Sequence, residues 1–531
     1  MNALQRLPFA FPSRLSWRPS AALALALGCA SCNLAPAYRP PPVAVPAAFK
    51  EGPPPAAAGA QTWQPANPGD DSARGAWWEA FGDPALNALE EQVRVSNQTI
   101  MAAAANFRAS RALAVQARAN LFPMATGSGG VTRARSSHST TAPGGSVTAG
   151  PGSPGTITNQ FDLPLDASYT LDVWGRLRNA YDASAYTAQA SAADLATATL
   201  GIQAELADDY FALRAVDEQR RIYANTVASY QQTLDLTRTL VKSGINSDED
   251  LATAQTQLDT VVAQATDLGV TRAGLEHAIA VLIGKSPSVV SIATAPFEPR
   301  APDVPAGVPS ALLQRRPDIA AAERRVAAAN AQVGVARTAY FPNLTLGAGA
   351  GFESSQSSNW FDWPSRFWSV GAQLGGTIFD VGGLRGVNEQ AQAEYDQAVA
   401  GYRLTVLGAF QAVEDNLAAL RILGQEAERE RTAVASAEHY LELTLTRYRA
   451  GIDSSLNVAT AQTIVLTNRQ AEVQIQLREV QAGVALVMAL GGGWDSSHLP
   501  ARKDLTAHQG KWTPASASAA PTSEPVAPAN Q

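Results

Sequence analysis

Two stretches of this chain, Arg176 to Val241 and Leu384 to Arg449, contain no proline and keep their apolar residues at helical spacing throughout. Each is about 66 residues long, which as α-helix is roughly 99 Å at 1.5 Å per residue. A globular domain has no room for such a rod, so the two helices must lie in a coiled coil or a tubular bundle. Both are rich in alanine, threonine and glutamine, a composition that suits close helix packing with a partly wet face.

The rods recur because the chain repeats. Ala117 to Pro123 answers Ala336 to Pro342, and Leu240 to Gln255 answers Tyr448 to Gln462. Gly244 matches Gly451 at an offset of 207, against 219 at the Phe-Pro pair, so one insertion separates the landmarks. Each copy reads as helix, two strands, very long helix, tight turn, helix. The first repeat spans 76–290 and the second 310–492, with a proline-rich linker at 291–309. After each long helix, Gly244 and Gly451 fit the left-handed position that ends a helix. Ser247 and Ser454 (or Ser455) then cap the helix that follows, with Asp250 three residues after Ser247. These turns are the far tips of the rods.

The strands show period-two alternation. Leu344, Leu346, Ala348, Ala350 and Phe352 share one face, and Trp368, Val370, Ala372, Leu374 and Ile378 continue it on the partner strand. In the first copy Leu163, Leu165, Ala167, Tyr169 and Leu171 alternate with Asp162, Asp166, Ser168, Thr170 and Asp172, after a weaker, glycine-rich strand at about 124–135. Strands of ~10 residues, a small polar face and aromatics near the strand ends fit a membrane β-barrel better than a soluble sheet. Four strands cannot close a barrel, and open edges are not tolerated in lipid. The barrel must therefore be shared between copies, two giving eight strands and three giving twelve.

The N-terminus has Arg6, Arg14 and Arg18 before a short apolar core, Ala21 to Gly28, and then Cys29 and Cys32. This pattern predicts a secretory signal peptide at 1–28, or to 31, with a lipid anchor at Cys29 or Cys32. Residues 29–75 read as anchor and extended proline-rich linker with nothing to pack it, and 493–531 as a disordered tail. With no cysteine beyond Cys32, a cysteine-based zinc site in the body is excluded. A net charge of −7 argues against nucleic acid as a partner. His277 and His439 stand singly on helices, and Gly382 and Gly383 lack the context of a phosphate loop. No catalytic, cofactor or metal site is expected.

Several motifs together resemble the TolC/OprM family (NodT-like lipoproteins included), the outer-membrane factors of tripartite efflux pumps. They are Trp77, Trp78, Phe81, Asp83, Pro84 and Leu86; Leu313, Arg316, Pro317, Asp318 and Ile319; Phe341 and Pro342; Asp172, Trp174, Gly175 and Arg176; Phe379, Asp380 and Gly382; and Tyr448, Arg449 and Gly451. Cys32, Pro36, Tyr38 and Pro40 resemble the family's mature start, which would make Cys32 the anchor, whereas the residues before Cys29 better fit a lipoprotein cleavage site. The resemblance covers about 34–492. It implies a mixed α/β membrane protein: a homotrimer with a shared 12-stranded antiparallel β-barrel in the outer membrane and a long periplasmic α-helical barrel. It implies two protein partners, a periplasmic adaptor (membrane fusion) protein and an inner-membrane transporter of the resistance-nodulation-division type. The function implied is a passive exit duct for drugs or other small toxic compounds, not an enzyme. Type I protein secretion is the nearer alternative and a structural coiled-coil envelope protein the remoter one. Some family members close the periplasmic mouth with an aspartate where this chain has Thr460. The acidic tip residues available are Asp248, Glu249 and Asp250 in the first copy and Asp453 in the second, and Asp248, Asp250 and Asp453 are the gate candidates among them.

Overall fold

The computed structural model describes residues 33–46, 48–51, 76–135, 157–299 and 312–506. In the first repeat a short 3₁₀ turn, Trp77–Phe81, leads into α1 (Pro84–Ser96) and α2 (Gln98–Ala119). Then come β1 (Met124–Gly127), β2 (Gly130–Arg135), β3 (Ile157–Leu171), α3 (Arg176–Lys242) and α4 (Asp248–Leu282). In the second repeat the order is α5 (Leu312–Arg315), α6 (Pro317–Thr338), β4 (Asn343–Ser354), β5 (Arg366–Gly375), α7 (Gly383–Arg449) and α8 (Ser455–Ala489), followed by α9 (Arg502–Leu505). The repeat is kept residue for residue in the helices: α3 and α7 have 67 residues each, α4 and α8 have 35, and α2 and α6 have 22. The offset falls from 219 before the strand hairpins to 207 after them, so the twelve-residue difference lies within that segment. Among the described residues, no helix is long and apolar enough to cross a membrane.

The short helices stack end to end on the helices that follow the tips. Asn97 caps α2 by accepting from the Thr99 and Ile100 amides at 2.9 and 3.0 Å, and its side-chain amide donates to the Leu282 carbonyl at the end of α4 at 2.8 Å. The second repeat makes the same joint with different chemistry. The Arg316 guanidinium pairs with Asp318 in the first turn of α6 and donates to the Ala489 carbonyl ending α8 at 2.9 Å. Each joint satisfies carbonyls that a helix end leaves without partners. Each also needs a glycine. At Gly284 (φ 70°) a Cβ would lie 2.3 Å from the Ser96 carbonyl oxygen, and at Gly491 (φ 98°) 2.1 Å from that of Arg315.

The sheet is antiparallel, in the order β1–β3–β4–β5, with β2 also on β3. One register runs through β1 and β2, since Gly127 faces Leu165 and Gly130 faces Asp162. The expected single strand 124–135 is nonetheless split at 128–129. Pro164 lies opposite Ser128 and has no amide to donate. β3 has 15 residues, longer than the ~10 expected, and β5 stops at Gly375, leaving Ile378 outside it.

Two further expectations are corrected. Residues 33–46 and 48–51 are extended, but they are packed. Asn330 donates to the Pro36 carbonyl at 2.9 Å, Tyr38 donates to Glu323, and Phe49 is buried with Tyr402, Val406 and Phe410 of α7. Glu414 then receives the amides of Lys50 and Glu51 at 2.7 and 2.9 Å. The tail beyond 492 is likewise placed as far as Thr506: Leu505 is buried against Ala114, Ala185 and Ala188, and Arg502 pairs with Asp182. Of the linker 291–309, residues 291–299 form no regular element, yet they are pinned. Arg272 and Arg214 share Asp217, at 2.7 and 3.3 Å, and donate to the Ile292 and Ala293 carbonyls at 2.6 and 2.7 Å. One buried group stands apart. Glu90 of α1 is fully buried, and neither of its oxygens has a hydrogen-bond partner among the described residues.

Candidate functional site

The tips form as the local sequence requires. In the turn after α3, the Gly244 amide donates to the Val241 carbonyl and the Ile245 amide to that of Leu240, both at 2.9 Å. The turn after α7 repeats this, with Gly451 to Tyr448 at 2.9 Å and Ile452 to Arg447 at 3.0 Å. Gly244 and Gly451 have φ of 73° and 72°, the left-handed conformation that suits glycine, and a Cβ at either would meet open space.

Ser247 and Asp250 form a reciprocal capping box: the Ser247 hydroxyl accepts from the Asp250 amide at 3.2 Å, and the Asp250 carboxylate accepts from the Ser247 amide at 3.0 Å. Asp250 has a second task. Its other oxygen accepts from the Ser455 hydroxyl in the first turn of α8, which ties the two tips together. Those hydrogen bonds, from Ser455 first and then from Ser247, hold its carboxyl below the ordinary range. Asp453 is also held low, by the Asn457 side-chain amide first, then by the Ser454 amide and by Arg447, 3.3 Å away. Ser454 caps α8 through the Asn457 amide at 3.4 Å. Both shifts are downward, so stabilisation by these caps is present at neutral pH and is lost as pH falls through the lowered pKa values. Asp248 is exposed in the first turn of α4. Thr460 is exposed on α8 and turns its hydroxyl back to the Leu456 carbonyl at 2.9 Å. Asp250 is thus the one gate candidate bonded across the two tips.

Tyr448 carries more than its motif announces. It is 1% exposed, and its hydroxyl meets Thr237 of α3 at 2.8 Å and the side-chain amide of Asn246 at 2.9 Å. Gln462 donates to Thr233 at 2.9 Å. These polar cross-links join residues more than 200 positions apart, and no local pattern announces them. Cys29 and Cys32 lie outside the described residues. Among the described residues no three His, Cys, Asp or Glu side chains group as metal ligands.

At the other end, the sheet exposes its apolar face. Leu165, Trp368, Val370 and Leu374 are 66, 80, 76 and 69% exposed. Trp174 and Phe341 pack with ring centroids 4.8 Å apart where sheet meets helices, and the Trp174 indole donates to the Pro342 carbonyl at 2.9 Å. Strands with one bare apolar face, joined through an aromatic boundary to rods of this length, define an outer-membrane channel subunit. The family described as outer membrane efflux protein matches residues 89–285 and 308–492, and the chain belongs to that family. The pyoverdine export outer membrane protein OpmQ of Pseudomonas putida is 35% identical over 428 residues, 79% of this chain and 88% of its own. The toluene efflux pump outer membrane protein TtgC, also of Pseudomonas putida, is 32% identical over 470 residues, 87% and 93% of the two chains. The solved structure of the outer-membrane channel OprN superimposes with a TM-score of 0.78 at 29% identity, covering 87% of this chain and 100% of that one. The protein is accordingly an outer-membrane component of an efflux system.

Proposed function

We propose that three copies close their sheets into one 12-stranded barrel and their helices into one periplasmic tube, and that this homotrimer is a passive duct rather than an enzyme. The observation that carries the reading is the sheet itself. Its apolar face is bare, and its two edges, β1–β2 and β5, lack partners among the described residues of the single chain. A bare edge in lipid leaves amides and carbonyls unsatisfied, and closure with further copies removes both edges at once. The duct would receive drugs or other small toxic compounds from a periplasmic adaptor and an inner-membrane transporter of the resistance-nodulation-division type, met at the Gly244 and Gly451 tips. The relatives named for pyoverdine and toluene favour small molecules over secreted proteins as cargo. Co-purification tests this: the adaptor and such a transporter should be recovered with the tagged protein. Recovery of an ATP-driven protein-secretion apparatus instead would replace efflux with type I secretion.

Lipid anchoring at Cys29 or Cys32 is part of the proposal. Asn33 accepts from the Asn179 side chain at 2.9 Å and lies against Gly175, where β3 gives way to α3. Either cysteine is then at most four residues, about 14 Å of extended chain, from Asn33 at the junction of β3 and α3. Mass spectrometry of the mature N-terminus should find an acylated cysteine at one of the two; an unmodified peptide starting elsewhere would sink the anchor.

We assign the closed mouth to Asp250, with Asp248 and Asp453 as the next candidates. Three copies bring three carboxylates together, and their repulsion favours opening unless the Ser455 bonds and counter-ions offset it. Asp250→Asn keeps the size and much of the capping ability. In planar bilayers it should change single-channel conductance in a salt-dependent way while trimer yield holds. The Ser455 and Ser247 bonds hold the Asp250 carboxyl low while the two neighbouring carboxylates of the ring push it up, so the difference should be present at neutral pH and shrink as acid protonates the ring. Conductance equal to wild type at low and high salt would leave Asp250 a helix cap only.

A further inference from the structure

The charged residues of the described strands are sorted by face. Asp162, Asp166 and Glu353 fall on the polar face with the serines, threonines and glycines. Arg133, Arg135 and Arg366 fall on the apolar face, which carries no other charge. They are also sorted by height. Arg133 and Arg135 pair with Asn159 and Ile157, past Phe161, and Arg366 opens β5 opposite Phe352. All three therefore lie in the part of the sheet away from the helices: Arg366 on the rung of Leu163 and Phe352, Arg133 two same-face positions further out, opposite Asn159, and Arg135 opposite Ile157. Aromatic rings surround that level: Trp360 stacks on Phe361 at 5.0 Å and meets Phe161 at 5.5 Å, and the Arg366 guanidinium covers Trp363. The three arginines are exposed, and no carboxylate shares their face in the described strands.

An arginine on a lipid face is tolerated near the interface and not at mid-depth. At the interface its planar fork matches a phosphate. The topology concentrates the three. β2 and β5 are opposite edges of the sheet, one running away from the helices and the other toward them. If copies close edge to edge, Arg366 of one copy comes to the seam that carries Arg133 and Arg135 of the next. Three like charges then share one seam with no acidic partner on that face among the described strand residues. We propose that each seam binds the phosphate groups of the phosphorylated glycolipid that forms the outer leaflet of the outer membrane, with the aromatic ring level packing beneath the sugars. This inference rests on the trimeric reading above. Each seam site is built from two copies, so bound lipid also holds neighbouring copies together.

Native mass spectrometry reads assembly and bound lipid in one spectrum. The probes are bis-phosphorylated lipid A, the same glycolipid without phosphates, and phosphatidylglycerol. Wild-type trimer should bind lipid A at least ten-fold more tightly than the Arg133→Gln, Arg135→Gln, Arg366→Gln triple variant. The matching lysine variant should stay within about three-fold of wild type, since it keeps the charge. Removing the phosphates should cost wild type the same ten-fold. Equal retention by the wild-type and glutamine trimers overturns the proposal, as does equal retention of the phosphate-free glycolipid. Phosphatidylglycerol bound as tightly as lipid A overturns the glycolipid assignment in favour of a general anionic surface. If the triple glutamine variant fails to assemble, Arg366→Gln alone, compared with Arg366→Lys, gives the same decision. A wild-type spectrum without trimer would refute the trimeric reading instead, and it appears as a mass rather than as a lipid count.

Discussion

Gly491→Ala should destabilise the folded protein by about 3 kcal/mol or more, while Gly451→Ala should cost about 1 kcal/mol. Both glycines follow a long helix in the same left-handed turn, so backbone strain alone, about 1–2 kcal/mol, does not separate them. What separates them is the neighbour. A Cβ at Gly451 meets nothing within 4 Å, whereas at Gly491 it falls 2.1 Å from the Arg315 carbonyl oxygen, a backbone atom that cannot rotate away. The α8–α6 joint must open to admit it, which also costs the Arg316 bond to Ala489. Gly284→Ala should match Gly491→Ala, because the α4–α2 joint presents the Ser96 carbonyl at 2.3 Å. Denaturant titration of the helical circular dichroism signal in detergent gives the comparison. Equal losses at 451 and 491 would show that the joints yield freely.

Glu90→Gln should stabilise the protein at neutral and alkaline pH. Burial without a partner pushes the Glu90 carboxyl up to about 9, from 4.5 in the unfolded chain. Below 4.5 both states are protonated and there is no ionisation penalty. Between 4.5 and about 9 the unfolded chain gives up its proton and the folded chain does not, so stability falls as pH rises. At pH 7 the full penalty is about 3 kcal/mol, an upper bound if water reaches the site. Glutamine removes the titration while keeping the shape. Wild type and variant should therefore be close at pH 4 and differ by about 1–3 kcal/mol at pH 8. A pH-independent difference would place a counter-charge beside Glu90.

What is legible in the sequence is what local chemistry decides. The long helices follow from the absence of proline, and the tip turns from Gly244, Gly451 and the serine caps, because a helix end is settled within a few residues. Face alternation in β3, β4 and β5 is legible for the same reason. Features that depend on distant partners are not. The break at Ser128 is caused by Pro164 across the hairpin, and nothing in 124–135 shows it. The segments 33–51 and 493–506 have the composition of free chain, and their order comes from Glu323, Glu414 and Asp182 on helices far away in sequence. Asp250 is legible as a cap, but its bond to Ser455 is not, since that bond crosses from one repeat to the other.

The two kinds of rod differ mechanically. α3 and α7 are single 67-residue ladders of hydrogen bonds and resist bending along their whole length. The paths through α2–α4 and α6–α8 pack beside them, but each is interrupted by one glycine joint where a few side-chain bonds replace the ladder. Below that joint the 35-residue helix is a lever arm of about 52 Å. One degree of tilt at the joint moves the free end by about 0.9 Å, roughly the slack that decides whether a hydrogen bond such as Ser455 to Asp250 holds. Compliance is therefore concentrated far from where its displacement is felt, beside a stiff splint that keeps the sheet still.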